Sequence, residues 1–159
     1  MIMQHEPKGV RNDLRTIVVG VDGSAGAVRA LAWAATRGAE TSAELVAVHV
    51  LTYSAELATD LSLATITNWR RDRSRTLAGP WTDAGRSIGA VVRTVMVEDE
   101  TPAAGILAIS DRVDADLVVL GAHGRGNLAD RLLGATTYTV AHRARTPVVI
   151  IPPDWNVAA

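Results

Sequence analysis

Residues 117–137 read LVVLGAHGRGNLADRLLGATT. The apolar run LVVL predicts a buried strand, and glycines at 121, 124, 126 and 134 separate it from a helix predicted over Ala135–Arg143. Glycines let a backbone approach an anion closely, and the first turn of a helix adds a partial positive charge. The stretch therefore has the order of strand, glycine loop and helix start that suits a phosphate group.

The rest of the chain repeats this alternation of short strands and helices. Further strands are predicted at Thr16–Val21, Glu44–Leu51, Val91–Glu98 and Val148–Ile151. Helices are predicted from Ser24 to about Glu40, in two pieces within residues 52–90 that Gly79-Pro80 separates, and over Pro102–Val113. Because runs such as LVVL are apolar throughout, the strands are expected to be buried on both faces, as in a parallel sheet. We predict an α/β fold, an open, doubly wound, five-stranded parallel sheet with helices on both faces.

Length and composition indicate one globular domain. The chain has 159 residues, 48% of them hydrophobic, and a formal net charge of −1, so it lacks the positive field that attracts nucleic acids or anionic membranes. It has no cysteine and no apolar run near the ~20 residues of a membrane span. We predict a tail over 1–13, a single domain over 14–153, a second tail over 154–159, and a cytoplasmic location without nucleic-acid or membrane partners.

The topology predicts where a ligand would bind. In a doubly wound sheet, ligands lie beyond the carboxyl ends of the strands, where the strand order reverses. The loops there are VDGSAGA after the first strand and GAHGRGN after the fourth. The chain has thirteen glycines, so spacing alone is a weak signal and these glycines could also be turn residues. Their position after a central strand favours a phosphate site.

No catalytic constellation accompanies these glycines in the sequence. The only lysine is Lys8, so a P-loop of the form GxxxxGK[ST] is absent, and Gly20, Gly23 and Gly26 do not form GxGxxG. Neither GxSxG nor HExxH occurs. We therefore predict a binding protein rather than an enzyme.

The glycine spacing resembles that of the universal stress protein family, in its nucleotide-binding branch. The signature there is Gly, two residues, Gly, nine residues, Gly and then Ser or Thr, which Gly121, Gly124 and Gly134 match. The resemblance covers about residues 14–152, through VVGVDGS, a second strand ending in HV, ADLVVLGAHG, NLADRLLG and TPVVIIP. It implies the strand order 3-2-1-4-5 and a ligand that is ATP or cyclic AMP, with or without Mg²⁺. It also implies a homodimer through the last strand, formed by Val148, Val149, Ile150 and Ile151.

The resemblance also implies a role for individual residues. Asp22 and Val50 would contact the adenine and ribose end of the ligand. Gly121, Gly124 and Gly134, with the backbone as far as Thr136, would surround the phosphates. The full set of predicted ligand-binding residues is Asp22, Val50, Leu120, Gly121, His123, Gly124, Arg125, Gly134, Ala135 and Thr136.

Two positions depart from the family pattern. Ala135 stands where Ser or Thr is usual, which removes a hydroxyl donor worth about 1.5–3 kcal/mol towards a phosphate unless Thr136 replaces it. Glu100 stands where Gly is usual, within the acidic triplet 98–100. Three carboxylates beside an anion site would oppose a polyphosphate unless they point outward or a divalent cation intervenes.

Several residues have a structural interpretation beside the functional one. Asp22 can close an Asx turn with Ser24 as the helix cap. His123 is favoured as a loop side chain near the phosphates over an acid or a metal ligand, and His49 is expected in the core. The basic run 70–75 is expected to be a solvated helix face. Core or interface anchors are predicted at Trp33, Trp69 and Trp81.

Together these features predict a homodimeric, adenine-nucleotide-binding regulatory protein of the stress response. Bound nucleotide would favour one arrangement of the glycine loop and of residues 52–90. Two alternatives remain open at this point. A ligand-free dimeric interaction protein would account for Ala135 and Glu100, and a slow ATPase would use the acidic triplet as a Mg²⁺ site.

Overall fold

The computed structural model of the protein describes residues 13–52, 62–124 and 133–156. The elements in chain order are β1 (Thr16–Gly20), α1 (Ala25–Thr41), β2 (Glu44–Leu51), α2 (Leu63–Ala78), α3 (Asp83–Ser87), β3 (Val91–Glu98), α4 (Pro102–Arg112), β4 (Leu117–Gly121), α5 (Ala135–Arg143) and β5 (Val148–Ile151). All strand pairs are parallel, in one sheet of order β3-β2-β1-β4-β5. The predicted fold class and strand order are confirmed.

The core lies on both faces of this sheet, as the apolar runs predicted. On β1, Ile17 and Val19 belong to the cluster under α1, while Val18 belongs to the cluster under α4 and α5. All three side chains are fully buried. Successive residues of a strand point to opposite faces, so a strand covered by helices on both sides needs apolar residues at every position.

The long crossover between β2 and β3 contains two helices, α2 and α3, as predicted. They are separated at Gly79 and Pro80, because proline cannot continue the backbone hydrogen bonding of a helix. Leu77 is the one fully buried residue of α2, all of which is described. Behind the break, Thr82 is fully buried and its hydroxyl donates to the carbonyl oxygen of Leu77 at 2.7 Å. Residues 79–82, the α2–α3 corner, are thus held against the end of α2.

The predicted and observed ends of the elements differ by one or two residues, and two differences have a physical cause. β1 ends at Gly20 rather than Val21, because the Val21 carbonyl is turned to the ring of His49 instead of to the sheet. Trp155 lies in the stretch predicted as a carboxyl-terminal tail, yet it packs partly buried against the core cluster under α1.

The chain leaves β1 and β4 in opposite directions. From β1 it crosses to α1 on one face of the sheet, and from β4 it crosses to α5 on the other. Because β1 and β4 are neighbours, a crevice opens between the two crossovers at the carboxyl ends of the strands. In the described ranges, no helix has the length and apolar character that crossing a bilayer requires.

Candidate functional site

A cleft of about 360 Å³ occupies this crevice. Its walls come from the carboxyl ends of β1, β2 and β4 and from the first turns of α1, α4 and α5. The lining residues are Gly20, Val21, Asp22, Ser24, Ala27, Val48, His49, Val50, Pro102, Ile106, Leu120, Gly121, His123, Gly124, Gly134, Ala135, Thr136 and Thr137. Three helices therefore begin at its rim, each with the positive end of its dipole towards the cleft.

The structure brings nine of the ten predicted ligand-binding residues to this one cleft. They are Asp22, Val50, Leu120, Gly121, His123, Gly124, Gly134, Ala135 and Thr136. The tenth, Arg125, lies outside the described residues. Residues that are up to 114 positions apart in the chain, from Asp22 to Thr136, thus converge on one volume.

The floor of the cleft is a close backbone contact between the first turn of α1 and the end of β4. A Cβ atom added to Gly121 would lie 2.6 Å from the carbonyl carbon and oxygen of Gly26. One added to Gly26 would overlap the carbonyl oxygen of His123. Only glycine permits this approach, so these two glycines hold the two loops of the site together.

Asp22 closes a turn and also faces the glycine loop. Its Oδ1 accepts a hydrogen bond from the Ser24 N–H at 2.9 Å, which is the Asx turn foreseen in the sequence. The Ser24 hydroxyl in turn accepts from the Ala27 N–H at 3.1 Å and caps α1. The other oxygen, Oδ2, lies 2.7 Å from the position that a Cβ of Gly124 would occupy. The turn thus fixes the carboxylate beside Gly124 of the glycine loop.

The start of α5 presents backbone donors to the cleft. Gly134 adopts ordinary φ and ψ values of −58° and 151°, and its N–H donates to the Ala122 carbonyl at 2.9 Å. No side chain of the described residues caps the helix. The N–H groups of Ala135, Thr136 and Thr137 form its first turn, in which amides have no partner within the helix. Such a turn attracts an anion.

The two threonines of this turn differ in role. Thr137 is buried, and its hydroxyl donates to the Gly121 carbonyl at 2.8 Å, which joins α5 to the end of β4. Thr136 is half-buried and lines the cleft. Its hydroxyl is therefore the one that can stand in for the missing hydroxyl of position 135.

The opposite end of the cleft contains a segment of β2, at Val50, that β1 does not reach. Val48 accepts a hydrogen bond from the Val21 N–H on the β1 side of β2. Backbone groups two residues apart face the same side of a strand, so the N–H and C=O of Val50 also face the β1 side. The pairing of β1 with β2 ends at Gly20 and Val48. Among the described residues, one donor and one acceptor are thereby left without a strand partner, side by side at the cleft.

The Val50 side chain is held from behind by α4. A Cβ on Gly105 would lie 2.7 and 2.8 Å from the two methyl carbons of Val50 and 3.1 Å from one of Val97. Pro102 and Ile106, one turn of the same helix, complete the apolar wall. Together with Val50 they form a slot whose chemistry suits a flat aromatic ring.

The position of His49 differs from the one predicted from the sequence. It was expected in the core, but its ring is half-buried and lines the cleft. Its Nδ1 lies 2.8 Å from the Val21 carbonyl, which can only accept, so Nδ1 carries the proton. The ring also meets Trp81 edge-on, with ring centroids 4.9 Å apart.

Residues 13–152 match a family model described as the universal stress protein family. The chain belongs to this family. Universal stress protein Rv2005c of Mycobacterium tuberculosis (strain ATCC 25618 / H37Rv) is 34% identical to it over 145 residues, which cover 87% of this chain and 48% of that protein. The chain spans about half the length of the curated relatives it matches.

Solved structures share the fold of this universal stress protein. Hypothetical protein MJ0577 superposes with a TM-score of 0.76 at 21% identity, over 91% of this chain and 99% of that one. A universal stress protein in complex with cAMP superposes with a TM-score of 0.69 at 28% identity, over 87% of this chain and 97% of that one.

The acidic triplet 98–100 is not part of the cleft wall. None of Glu98, Asp99 and Glu100 lines the cleft. Glu98 forms an ion pair with Arg70 of α2, and the exposed Glu100 donates its backbone N–H to Asp99 Oδ1 at 2.7 Å. Among the described residues, no three His, Asp or Glu side chains are grouped so as to hold a metal ion. The feature on which the slow-ATPase alternative depended is therefore not part of the site.

Sequence reasoning missed several residues of the cleft wall. Ser24, His49, Pro102, Ile106 and Thr137 all line it. Two signals pointed to them. One is topology, because the helices that follow β1, β3 and β4 all begin at the cleft. The other is adjacency, because His49 directly precedes the predicted residue Val50 on β2.

Proposed function

We propose that this universal stress protein binds an adenine nucleotide in the cleft and acts as a nucleotide-responsive regulatory module without turnover of its ligand. The main observation in support of the proposal is that one cleft has two ends of different chemistry. One end is the donor and acceptor of the Val50 backbone, and the other is the uncapped first turn of α5.

The Val50 end favours adenine over guanine. On its Watson–Crick edge, adenine presents an acceptor, N1, next to a donor, the exocyclic amine. A backbone N–H beside a backbone C=O complements that order. Guanine presents a donor and a carbonyl acceptor at the corresponding positions, so it would place donor against donor and acceptor against acceptor.

The α5 end suits phosphates. The first-turn amides at Ala135–Thr137 supply neutral donors, and the helix dipole adds about half a positive charge. The Thr136 hydroxyl adds a donor in place of the one that Ala135 lacks. The described lining residues include no lysine or arginine, and the predicted Arg125 lies outside the described residues. Within the described part of the cleft, the donors proposed for the phosphates are therefore these backbone groups and the Thr136 hydroxyl.

The relationship to a universal stress protein solved with cAMP, at 28% identity, supports a ligand of this class. A volume of about 360 Å³ lies within the range of small-molecule sites. The proposed ligand is ATP, with cyclic AMP as the second candidate. Among the described residues no group of three His, Asp or Glu side chains is available for a metal ion, and we propose that any Mg²⁺ would be carried by the phosphates.

The proposed assembly is a cytoplasmic homodimer through β5. In the described chain, β5 pairs with β4 on one side only, and Val148, Val149 and Ile150 are half-buried along its outer edge. Pairing with β5 of a second copy would satisfy the edge amides, and Pro147 and Pro152 would limit the pairing to a few residues.

The direct test starts from the purified chain. Native mass spectrometry, before and after denaturation, identifies any small molecule that copurifies, and calorimetric titration then compares ATP, cyclic AMP and GTP. We expect an adenine nucleotide to be recovered or bound, and GTP to bind at least about tenfold more weakly. Equal binding of ATP and GTP would overturn the role of Val50. No binding of any nucleotide would favour the ligand-free interaction protein.

A further inference from the structure

The α2–α3 corner contains Trp81, whose large side chain contacts His49, a residue of the cleft wall. Trp81 does not line the cleft but packs, half-buried, against the core cluster under α1. Its backbone N–H donates to the Thr76 carbonyl at 3.1 Å, near the end of α2. With Thr82 buried beside it, the backbone of this tryptophan is fixed.

The Trp81 ring covers the turn after β1. Gly23 has a φ of +81°, and a Cβ at that position would lie 2.6–2.7 Å from three atoms of the indole. The ring therefore rests on the bare backbone of the turn. Asp22, whose carboxylate is fixed by the same turn, lies next to this contact.

The Trp81 ring also meets His49 edge-on at 4.9 Å between centroids, an arrangement that aromatic rings favour. The other side of His49 is fixed by its hydrogen bond to the Val21 carbonyl at 2.8 Å. Together the two contacts hold the His49 ring, which lines the cleft one residue before Val50.

Arg73 of α2 packs on the Trp81 ring. Its guanidinium lies 5.8 Å from the centroid of Trp81 and 6.0 Å from that of Trp69. Both distances are within the range of a cation–π contact. The basic run on α2 is thus not only a solvated face, because one of its arginines packs on the ring that supports the cleft.

We infer that Trp81 is a positioning residue of the adenine end of the cleft, which orients His49 and the Val21–Gly23 turn before the ligand arrives. The inference rests on the proposed function for its ligand. Loss of the indole would leave a void between Gly23 and His49, so both would have to be ordered at the moment of binding. Ordering of side chains and loops on binding lowers affinity.

The test compares three variants with the wild type. Trp81→Leu removes the ring, Trp81→Phe retains an aromatic ring, and Trp33→Leu is the matched control, because Trp33 is a half-buried tryptophan of the same core cluster that does not line the cleft. We expect Trp81→Leu to weaken ATP binding by about tenfold, Trp81→Phe to recover most of it, and Trp33→Leu to stay within about twofold of wild type. Thermal unfolding of each variant shows whether the fold survives.

A second measurement is independent of nucleotide. The protein is labelled with ¹⁵N-histidine, and the signal of the His49 Nδ1 proton is assigned by its loss in His49→Gln. This proton should exchange slowly with water in the wild type and in Trp33→Leu. It should exchange rapidly in Trp81→Leu. Slow exchange in Trp81→Leu, or equal loss of ATP affinity in the two leucine variants, would overturn the inference. A wild type with the slow proton but no ATP binding would overturn the proposed function instead, and with it the role of Trp81 in binding ATP.

Discussion

The side chain of Asp22 and the backbone of Gly124 touch across the cleft. Asp22 Oδ2 lies 2.7 Å from the site that a Cβ of Gly124 would take, while Oδ1 is held by the Ser24 N–H at 2.9 Å. The carboxylate cannot move away without breaking the Asx turn. The loop after β1 and the loop after β4 can therefore lie this close together only because residue 124 has no side chain.

Replacement of Gly124 should abolish nucleotide binding while the fold survives. In Gly124→Val, the new side chain would displace the Asp22 carboxylate and occupy the phosphate end. Gly85→Ala on α3 is the control, because Gly85 does not line the cleft and its Cβ would lie 3.3 Å or more from the side chain of Leu31. We expect the control to bind ATP within about threefold of wild type. Titration of ATP into both proteins decides, and wild-type affinity in Gly124→Val would remove the loop from the site.

Gly121→Ala should destabilise the protein rather than only weaken its binding. The added methyl group would lie 2.6 Å from backbone atoms of Gly26, and a backbone in a helix turn cannot rotate away as a side chain can. We expect the free energy of unfolding to fall by about 1–3 kcal/mol. Urea denaturation of Gly121→Ala against Gly134→Ala, whose Cβ would lie 3.5 Å or more from neighbouring atoms, measures the difference. Equal midpoints would mean that the two loops lie further apart than the structure has them.

A hydroxyl at position 135 should strengthen binding of ATP. Ala135→Ser places a donor at the first turn of α5, where the family pattern has one, and we expect a gain of up to about tenfold. Thr136→Val removes the hydroxyl that we propose acts in its place and should weaken binding by about tenfold or more. Thr139→Val, on the same helix but not among the cleft-lining residues, is the control. No change in either cleft variant would show that phosphates do not reach α5.

A charge on the outer edge of β5 should split the proposed dimer. Ile150 is half-buried in the single chain, so Ile150→Glu would place a carboxylate in the paired edge. The matched control is Val91→Glu on β3, the opposite edge of the sheet, where the side chain is 69% exposed. Sedimentation should give a monomer for the first and a dimer for the second. A dimer that survives Ile150→Glu has its interface elsewhere.

Local sequence rules predicted the fold because each element carries its own signal. LVVL and VVII are apolar at every position, which only a strand covered on both faces requires, and Gly79-Pro80 marks the break between α2 and α3. The position of the cleft followed from topology, since any doubly wound sheet opens there.

The wall of the cleft was less predictable, because it depends on contacts between distant segments. His49 sits in an apolar strand, and nothing local distinguishes a core histidine from one that faces a crevice. Its partners Val21 and Trp81 are 28 and 32 residues away. The acidic triplet shows the same limitation, because the ion pair of Glu98 with Arg70 joins two elements whose approach the sequence does not display.

Gly105 stands on the far side of the Val50 wall, and its hydrogen atom is all that separates α4 from the two methyl groups of that valine. Any larger residue there would press Val50 forward and make the slot shallower, whereas a smaller residue at 50 would deepen it. In the proposed complex, the space for the base would thus be set in part from α4, through the contact of Gly105 with Val50. A joint change at positions 50 and 105 would thus alter the depth of the slot while the backbone groups of Val50 and the glycines of the loop stay as they are.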